Sequence, residues 1–147
     1  GEMHDPETHV IPILLEVAMG KRKSFSVFGT DYDTKDGSCI RDYVHVTDLA
    51  DAHIKALEYL FKGGETDAFN LGTGDGISVL ELIEAVKRIT GKELDIRMEG
   101  RRPGDPAMLV ADNRKARETL GWIPKHSSID NIVETAWKWH TRSVNEV

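Results

Sequence analysis

Hydrophobic residues recur at helical spacing in four segments of the chain, and each segment is predicted to form a helix. The clearest begins with Ser78 and Glu81, which are spaced as in a helix-capping box, and ends before Gly91. A shorter helix is predicted between Asp112, as its N-cap, and Gly121. The four longer helices are predicted at Val10–Gly20, Asp48–Phe61, Val79–Thr90 and Ile129–Arg142.

Four shorter segments are predicted to be strands: Phe25–Phe28, Ile40–Val46, Asp67–Leu71 and Leu94–Met98. In the second of them, Arg41, Tyr43 and His45 alternate with other residues and therefore fall on one face. A face of this composition suits a polar ligand better than a core. Because helices and strands do not alternate regularly, the pattern predicts a mixed α/β (α+β) fold and not a complete Rossmann unit.

One stripe of the second predicted helix carries Leu49, His53, Leu57 and Leu60, and we expect it to face the core. His53 lies on this stripe, whereas His45 lies on a predicted strand. The two histidines therefore lack the helical spacing of a pair of metal ligands, and no metal site is predicted.

The composition limits the class of protein. The 147 residues are enough for one domain, predicted to span residues 1–147, and too few for two ordinary ones. A net charge of -6 argues against nucleic acid as a partner, and the longest apolar run, Val10–Leu15, is too short to span a membrane. The single cysteine, Cys39, cannot form an internal disulfide, which fits a reducing compartment such as the cytoplasm.

Two arginine-containing segments are candidates for binding an anion. Arg41 stands in the run R-D-Y-V-H-V, and Arg102 stands in the loop G-R-R-P-G-D-P. Gly104 permits a sharp bend in this loop that brings Asp105 toward the same ligand. A guanidinium group binds phosphate oxygens through two parallel hydrogen bonds, and a carboxylate accepts hydrogen bonds from a sugar diol. Either arginine alone is better explained as a surface charge or a surface salt bridge, but together the two motifs favour a shared site.

Two adjoining segments, Phe25–Gly37 (FSVFGTDYDTKDG) and Gly37–His53 (GSCIRDYVHVTDLADAH), carry a family resemblance. The chain resembles UDP-glucose (UDP-galactose) 4-epimerases of the extended short-chain dehydrogenase/reductase superfamily, from Gly1 to about Arg142. The resemblance implies that the chain is the C-terminal nucleotide-sugar-binding domain of an enzyme that interconverts UDP-glucose and UDP-galactose. It further implies a cytoplasmic full-length protein that is usually a homodimer.

The resemblance assigns roles at the phosphates and the ribose. Arg41 and Arg102 match residues that bind the diphosphate. Tyr43 and Asp105 match residues at the ribose, where the carboxylate accepts hydrogen bonds from hydroxyl groups. Val79 matches an apolar position near the nucleotide, although its place on a helix stripe explains it equally well by packing.

Other positions are implied at the two ends of the ligand. Ser26 and Phe28 match the uracil site, where the backbone pairs with the base and the ring stacks on it. His9 and Val10 match a pair that lies along the nucleotide. Leu109 matches a position lining the sugar pocket; its intermediate size leaves open whether UDP-N-acetyl sugars are accepted.

Two family elements are absent from the sequence. No G-x-x-G-x-x-G run is present to hold NAD, and none of Tyr32, Tyr43 and Tyr59 has a lysine four residues on, as the family's Tyr-x-x-x-Lys base requires. The run Asn70–Ser78 imitates a dinucleotide turn, but its spacing is G-x-G-x-G. We therefore expect no catalytic or cofactor-binding residue in this chain, which alone should be inactive, with NAD bound by the full-length enzyme.

Two alternatives remain open. One is a related enzyme, such as a UDP-glucuronate epimerase or a dTDP-glucose 4,6-dehydratase, but the F-G-x-D-Y-x-T-x-D-G segment is typical of the 4-epimerases. The other is a non-catalytic nucleotide-sugar-binding protein. A glycine-rich turn and a Tyr-x-x-x-Lys dyad upstream in the parent gene would favour the enzyme.

Overall fold

The computed structural model describes residues 4–142, which form a mixed α/β fold. This confirms the fold class predicted from the sequence. The helices are α1 (Val10–Ala18), α2 (Val46–Phe61), α3 (Val79–Thr90), α4 (Arg114–Leu120) and α5 (Ile129–Arg142). The strands are β1 (Phe25–Phe28), β2 (Ile40–Arg41), β3 (Ile77–Ser78), β4 (Ile96–Glu99) and β5 (Met108–Leu109).

The main core lies between α1, α3 and α5, with β1 packed against it. Leu14 of α1, Leu82 of α3 and Val133 of α5 are fully buried in this core, and Val27 of β1 is nearly so. The apolar stripes read from the sequence therefore meet one another on these three helices, as helical periodicity predicts.

The ends of α3 show why this helix was predictable from local sequence. The Ser78 hydroxyl accepts the N–H of Glu81 at 3.1 Å, and the Glu81 carboxylate accepts the N–H of Ser78 at 2.9 Å. Gly91 ends the helix in the left-handed region, with φ of 64°. Both ends are thus satisfied by residues of the helix itself or its immediate neighbours.

Two small sheets determine the course of the loop at residues 100–107. β1 pairs with β4 in parallel, which places Phe28 opposite Glu99. β2 lies between β3 and β5, and Arg41 is opposite Leu109 in the parallel pair. Because the loop connects β4 to β5, it has to pass between the ends of β1 and β2.

The prediction of a strand at Ile40–Val46 is wrong in its length, because β2 ends at Arg41. The next residue, Asp42, turns the chain by binding a distant segment. Its carboxylate accepts the N–H of Thr73 at 2.8 Å and the N–H of Gly74 at 3.2 Å. These tertiary hydrogen bonds replace those of a continuing strand.

The prediction of a strand at Asp67–Leu71 is also wrong. Phe69 and Leu71 do pack against a second, smaller core around Trp122, so the alternation that suggested a strand is present. Within residues 4–142, however, no strand is paired with this segment. The side chains of this segment thus alternate between two faces as in a strand, but its backbone forms no hydrogen-bonded pairing with another strand among the described residues.

The buried face of α2 differs from the stripe predicted to face inward, which comprises Leu49, His53, Leu57 and Leu60. The residues of α2 that are buried are Asp48 and Ala52. Leu57 is 53% exposed, and Phe61, at the end of the helix, is 86% exposed. The small Ala52 allows α2 to pack closely against Trp122, and this contact turns the larger apolar side chains outward.

Asp48 joins the start of α2 to the segment that follows Trp122. Its carboxylate accepts the N–H groups of Lys125 at 3.1 Å and His126 at 2.8 Å, and the Ser127 hydroxyl at 2.5 Å. Its backbone carbonyl accepts the indole N–H of Trp122 at 2.8 Å. Burial raises the pKa of Asp48, but the hydrogen bonds from Ser127, His126 and Lys125 outweigh it and hold the pKa below its ordinary value of 3.8.

Asp48→Asn should lower the free energy of unfolding by about 1.5–3 kcal/mol, because the buried amide cannot accept all of the hydrogen bonds that the charged carboxylate accepts. The folded-state pKa of Asp48 is lowered, so its contribution is present above the unfolded pKa and is lost as pH falls through the folded one. Urea denaturation should therefore show that the difference in free energy of unfolding between parent and variant narrows as the pH falls below the ordinary carboxyl pKa of 3.8. Asp51→Asn on the same helix is the control, and an equal effect of both variants would contradict the assignment.

Candidate binding cleft

A cavity of about 240 Å³ opens between the start of α1, the strands β1 and β2, and the loop at residues 100–107. All of the substrate-contacting residues predicted from the sequence line it except His9 and Leu109. Those that line it are Val10, Ser26, Phe28, Arg41, Tyr43, Val79, Arg102 and Asp105. Strand pairing explains why residues so far apart in sequence meet here.

His9 and Leu109 lie outside the cavity lining. His9 is the N-cap residue of α1, and its Nδ1 atom is 2.8 Å from Oε1 of Glu7. Leu109 pairs with Arg41 in the sheet, and its side chain is 55% exposed. The nucleotide and sugar contacts implied for these two residues stay predictions.

Arg41 is held by three hydrogen bonds, two of which reach the loop at residues 100–107. One guanidinium nitrogen donates to Oδ1 of Asp105 at 2.6 Å, and the other donates to the carbonyls of Ile40 at 2.7 Å and Pro106 at 3.0 Å. Both side chains of the ion pair are about three-quarters buried. Arg41 therefore presents a positive charge in the cleft whose position is fixed by these partners.

Arg102 adds a second positive charge with a different environment. Its guanidinium carbon lies 4.1 Å from the centre of the Phe28 ring, and its Nε is 3.7 Å from Oδ2 of Asp105. The carboxylate of Asp105 thus lies between two guanidinium groups. The three side chains together carry one net positive charge, which suits an anionic ligand.

Tyr43 supplies an unused hydrogen-bonding group. Among the described residues, its hydroxyl is the one buried side-chain oxygen or nitrogen without a hydrogen-bond partner. Burial raises the pKa of Tyr43 to about 12, so the hydroxyl stays protonated at neutral pH. A buried donor without a partner is costly, so this hydroxyl is an unsatisfied polar group in a residue that lines the cavity.

The loop that follows β1 supports the loop that carries Asp105. Arg101 donates from Nε to Asp31 at 2.7 Å and lies 4.2 Å over the ring of Tyr32. The buried Tyr32 donates its hydroxyl to the carbonyl of Asp105 at 3.3 Å. Gly29 makes this packing possible, because a Cβ atom there would lie 2.3 Å from the Tyr32 ring.

Several of these residues were missed by the sequence analysis. Tyr32 and Arg101 had no assigned role, although Gly29 close before Tyr32 is a signal for close packing. Five further residues that line the cavity were also missed. They belong to α1 and the segment before it, to β1, and to the segment before β2: Thr8, Ile13, Phe25, Val27 and Cys39. Their part in the cavity follows from tertiary packing alone.

The glycine-containing run Asn70–Ser78 is a turn built around Asp42. The N–H groups of Thr73 and Gly74 donate to this carboxylate, and a Cβ atom on Gly72 would lie 2.4 Å from it. A phosphate bound at this turn would need the same N–H donors. The turn therefore does not fit a dinucleotide cofactor.

The two histidines considered as metal ligands have other partners. His45 is the N-cap of α2, where its Nδ1 accepts the N–H of Thr47 at 3.1 Å, and Nδ1 of His53 is 2.7 Å from the carbonyl of Leu49. Across residues 4–142 there is no group of three or more His, Cys, Asp or Glu side chains arranged to hold a metal ion. In the same part of the chain, no helix is both long and apolar enough to cross a membrane.

Known proteins resemble the chain over most of its length. The family described as GDP-mannose 4,6 dehydratase matches residues 2–136. The UDP-glucose 4-epimerase of Rhizobium leguminosarum bv. trifolii is 51% identical over 143 residues, which are 97% of this chain and 43% of that protein. A crystal structure of a UDP-glucose 4-epimerase is 50% identical with a TM-score of 0.95, covering 100% of this chain and 45% of that one. The crystal structure of the UDP-glucose-4-epimerase of Stenotrophomonas maltophila, with bound NAD and formylated UDP-arabinopyranose, is 38% identical with a TM-score of 0.94. The match covers 99% of this chain and 43% of that one.

The chain belongs to the GDP-mannose 4,6 dehydratase family, since the family match spans nearly all of it. Within this family its relatives include UDP-glucose 4-epimerases, which confirms the resemblance seen in the sequence. The chain spans less than half the length of the curated relatives it matches.

Gly29→Ala should destabilise the protein more than Gly20→Ala does. Both glycines have positive φ, 84° and 72°, so each substitution carries the backbone strain of a left-handed alanine, about 1–2 kcal/mol. Only at Gly29 does the new methyl group meet a buried ring, which adds about 1–3 kcal/mol of overpacking. Chemical denaturation measures both variants; equal losses of stability would show that Tyr32 does not pack tightly against Gly29.

Proposed function

We propose that this chain is the UDP-sugar-binding part of a UDP-glucose 4-epimerase. The observation that carries the proposal is the cluster of Arg41, Asp105 and Arg102 beside Phe28 and Tyr43 in one cavity. It combines cations for phosphate, a carboxylate for ribose hydroxyls and an aromatic face for a base. The relative from Stenotrophomonas, which binds a UDP-sugar, adds support from similarity.

In this proposal the two arginines hold the diphosphate and Asp105 accepts hydrogen bonds from the ribose. Phe28 stacks on the uracil, and Tyr43 lies against the ribose. An epimerase must keep the nucleotide fixed while the sugar turns over between the two faces of its active site. Binding energy gained far from the reacting carbon serves this purpose, because it anchors the substrate during reorientation.

In such an enzyme, bound NAD would accept a hydride from the sugar and return it. We propose that the NAD site lies in a separate part of a longer protein. This chain's glycine-containing turn does not fit it, because Asp42 occupies the N–H donors of Thr73 and Gly74. The exposed apolar side chains Leu57, Leu60 and Phe61 of α2 are consistent with a further covering domain. We propose that residues 1–147 are the C-terminal part, and that the whole protein is a cytoplasmic homodimer.

The second candidate function is nucleotide-sugar binding without catalysis. It is favoured by one observation, that no tyrosine of this chain is followed by lysine at the fourth position. Removing a proton from a sugar hydroxyl requires a base with a suitable pKa, and the pKa of Tyr43 is raised, not lowered. The two candidates differ only in whether a catalytic half accompanies this chain.

Arg41→Ala should weaken UDP binding by about 1.5–3 kcal/mol, the range for hydrogen bonds to a charged group. Uridine, which lacks phosphate, should lose less affinity than UDP, because Arg41 affects it only through the position of Asp105. Isothermal titration calorimetry with both ligands measures this, and Arg114→Ala, an exposed arginine paired with Asp112 outside the cavity, is the matched control. If Arg41→Ala binds UDP like the parent, Arg41 is a structural residue and the diphosphate assignment is wrong.

This chain alone should not interconvert UDP-galactose and UDP-glucose, even with NAD added. The reason is that no residue of the chain fits the proton-transfer role and its glycine-containing turn does not fit NAD. A coupled assay of the purified chain should give a rate equal to that of buffer. Turnover that persists after removal of trace host epimerase would contradict the proposal that catalysis belongs to another part.

A further inference from the structure

The aromatic face proposed for the nucleobase is covered by an arginine. The guanidinium carbon of Arg102 lies 4.1 Å from the centre of the Phe28 ring, and both side chains line the cavity. A flat base stacking on this face of Phe28 would occupy the volume that the guanidinium fills. The same arginine is the one assigned to the diphosphate, so it cannot be in both places.

We propose that Arg102 is a displaceable cover over Phe28, which moves to the diphosphate when the nucleobase takes its place on the ring. This inference rests on the proposed UDP-sugar site and describes how that site is filled. Binding then exchanges one stacking partner of Phe28 for another and releases a cation for the phosphates. The Arg102 side chain thus lies over Phe28 in the free protein and at the diphosphate in the bound protein.

Arg102 is the least restrained of the three arginines around the cleft. Arg41 donates three hydrogen bonds, and Arg101 is bonded to Asp31 and stacked on Tyr32. Arg102 is 62% exposed, and its contact with Asp105 is 3.7 Å, beyond hydrogen-bond length. A largely exposed cation over a half-buried ring is weakly held, whereas a base stacked on an aromatic ring is held more strongly.

The backbone beneath Arg102 permits this exchange without moving the cleft. The N–H of Asp105 donates to the carbonyl of Arg102 at 3.3 Å, which closes a turn through Gly104, where φ is 81°. The turn is fixed further by the Tyr32 hydroxyl on the Asp105 carbonyl. Only the side chain of Arg102 has to rotate, and Asp105 keeps its pairing with Arg41.

The proposal predicts opposite effects of one substitution on two ligands. Arg102→Ala uncovers Phe28, so uridine should bind about two- to fivefold more tightly, which is the affinity lost to displacing a weak cation–π contact. The same change removes a phosphate contact, so UDP should bind at least about tenfold more weakly. Calorimetry with uridine and with UDP measures both, and Arg97→Ala, an exposed arginine of β4 outside the cavity, should change neither.

A second variant separates covering from a general change in the cleft. In the background of Phe28→Leu, which removes the ring, Arg102→Ala should no longer improve uridine binding. Tighter uridine binding that depends on Phe28 supports the proposal. If Arg102→Ala weakens the binding of UDP and does not tighten the binding of uridine, Arg102 is not a cover over Phe28, while the proposal of a UDP-sugar site is unaffected. If the folded parent binds neither ligand, both the site and the cover are wrong.

Discussion

The cleft depends on the carboxylate of Asp105, which lies between two guanidinium groups. One oxygen binds Arg41 at 2.6 Å, and the other lies 3.7 Å from Arg102. The first contact joins the loop at residues 100–107 to the strand β2, and so closes one side of the cavity. Without this carboxylate two cations would face each other in a partly buried site, at a cost that grows as water is excluded.

The position of this carboxylate is in turn set by packing. Tyr32 binds the carbonyl of Asp105 and fits against Gly29, and Arg101 covers the outer face of the Tyr32 ring. The pairing of β4 with β1 and of β5 with β2 fixes the ends of the same loop. A ligand that pairs with Arg41 therefore meets a preformed site, and Arg102 is the side chain left to adjust.

The parts of the fold that could be predicted from sequence are those determined by nearby residues. Ser78, Glu81 and Gly91 specify α3 at its own ends, and the prediction for this helix is confirmed. The strand β2 was predicted too long because Asp42 finds its partners in a distant turn, which no local pattern reveals. The prediction that residues 48–61 form a helix is confirmed, but the prediction of which face of α2 is buried is wrong. Ala52 packs against Trp122, and the larger apolar residues remain exposed.

For the candidate site, the family resemblance supplied more than the pattern did. It singled out Arg41, Asp105 and Phe28, which line one cavity as a group. It gave no sign of the support by Tyr32 and Arg101, because these contacts join two loops that only the folded chain brings together. Nor could it show that Arg102 lies on Phe28, since side-chain position depends on the surrounding space.

Side-chain NMR of the arginines can show whether Arg41 and Arg102 share one diphosphate. Spectra of the Nε–H groups of labelled protein would be recorded as UDP is added. The signals of Arg41 and Arg102 should shift together with one affinity, while those of Arg101 and Arg114 should change little. Saturating UDP that leaves both Arg41 and Arg102 unshifted, or shifts arginines outside the cavity in their place, would contradict the assignment of a shared diphosphate.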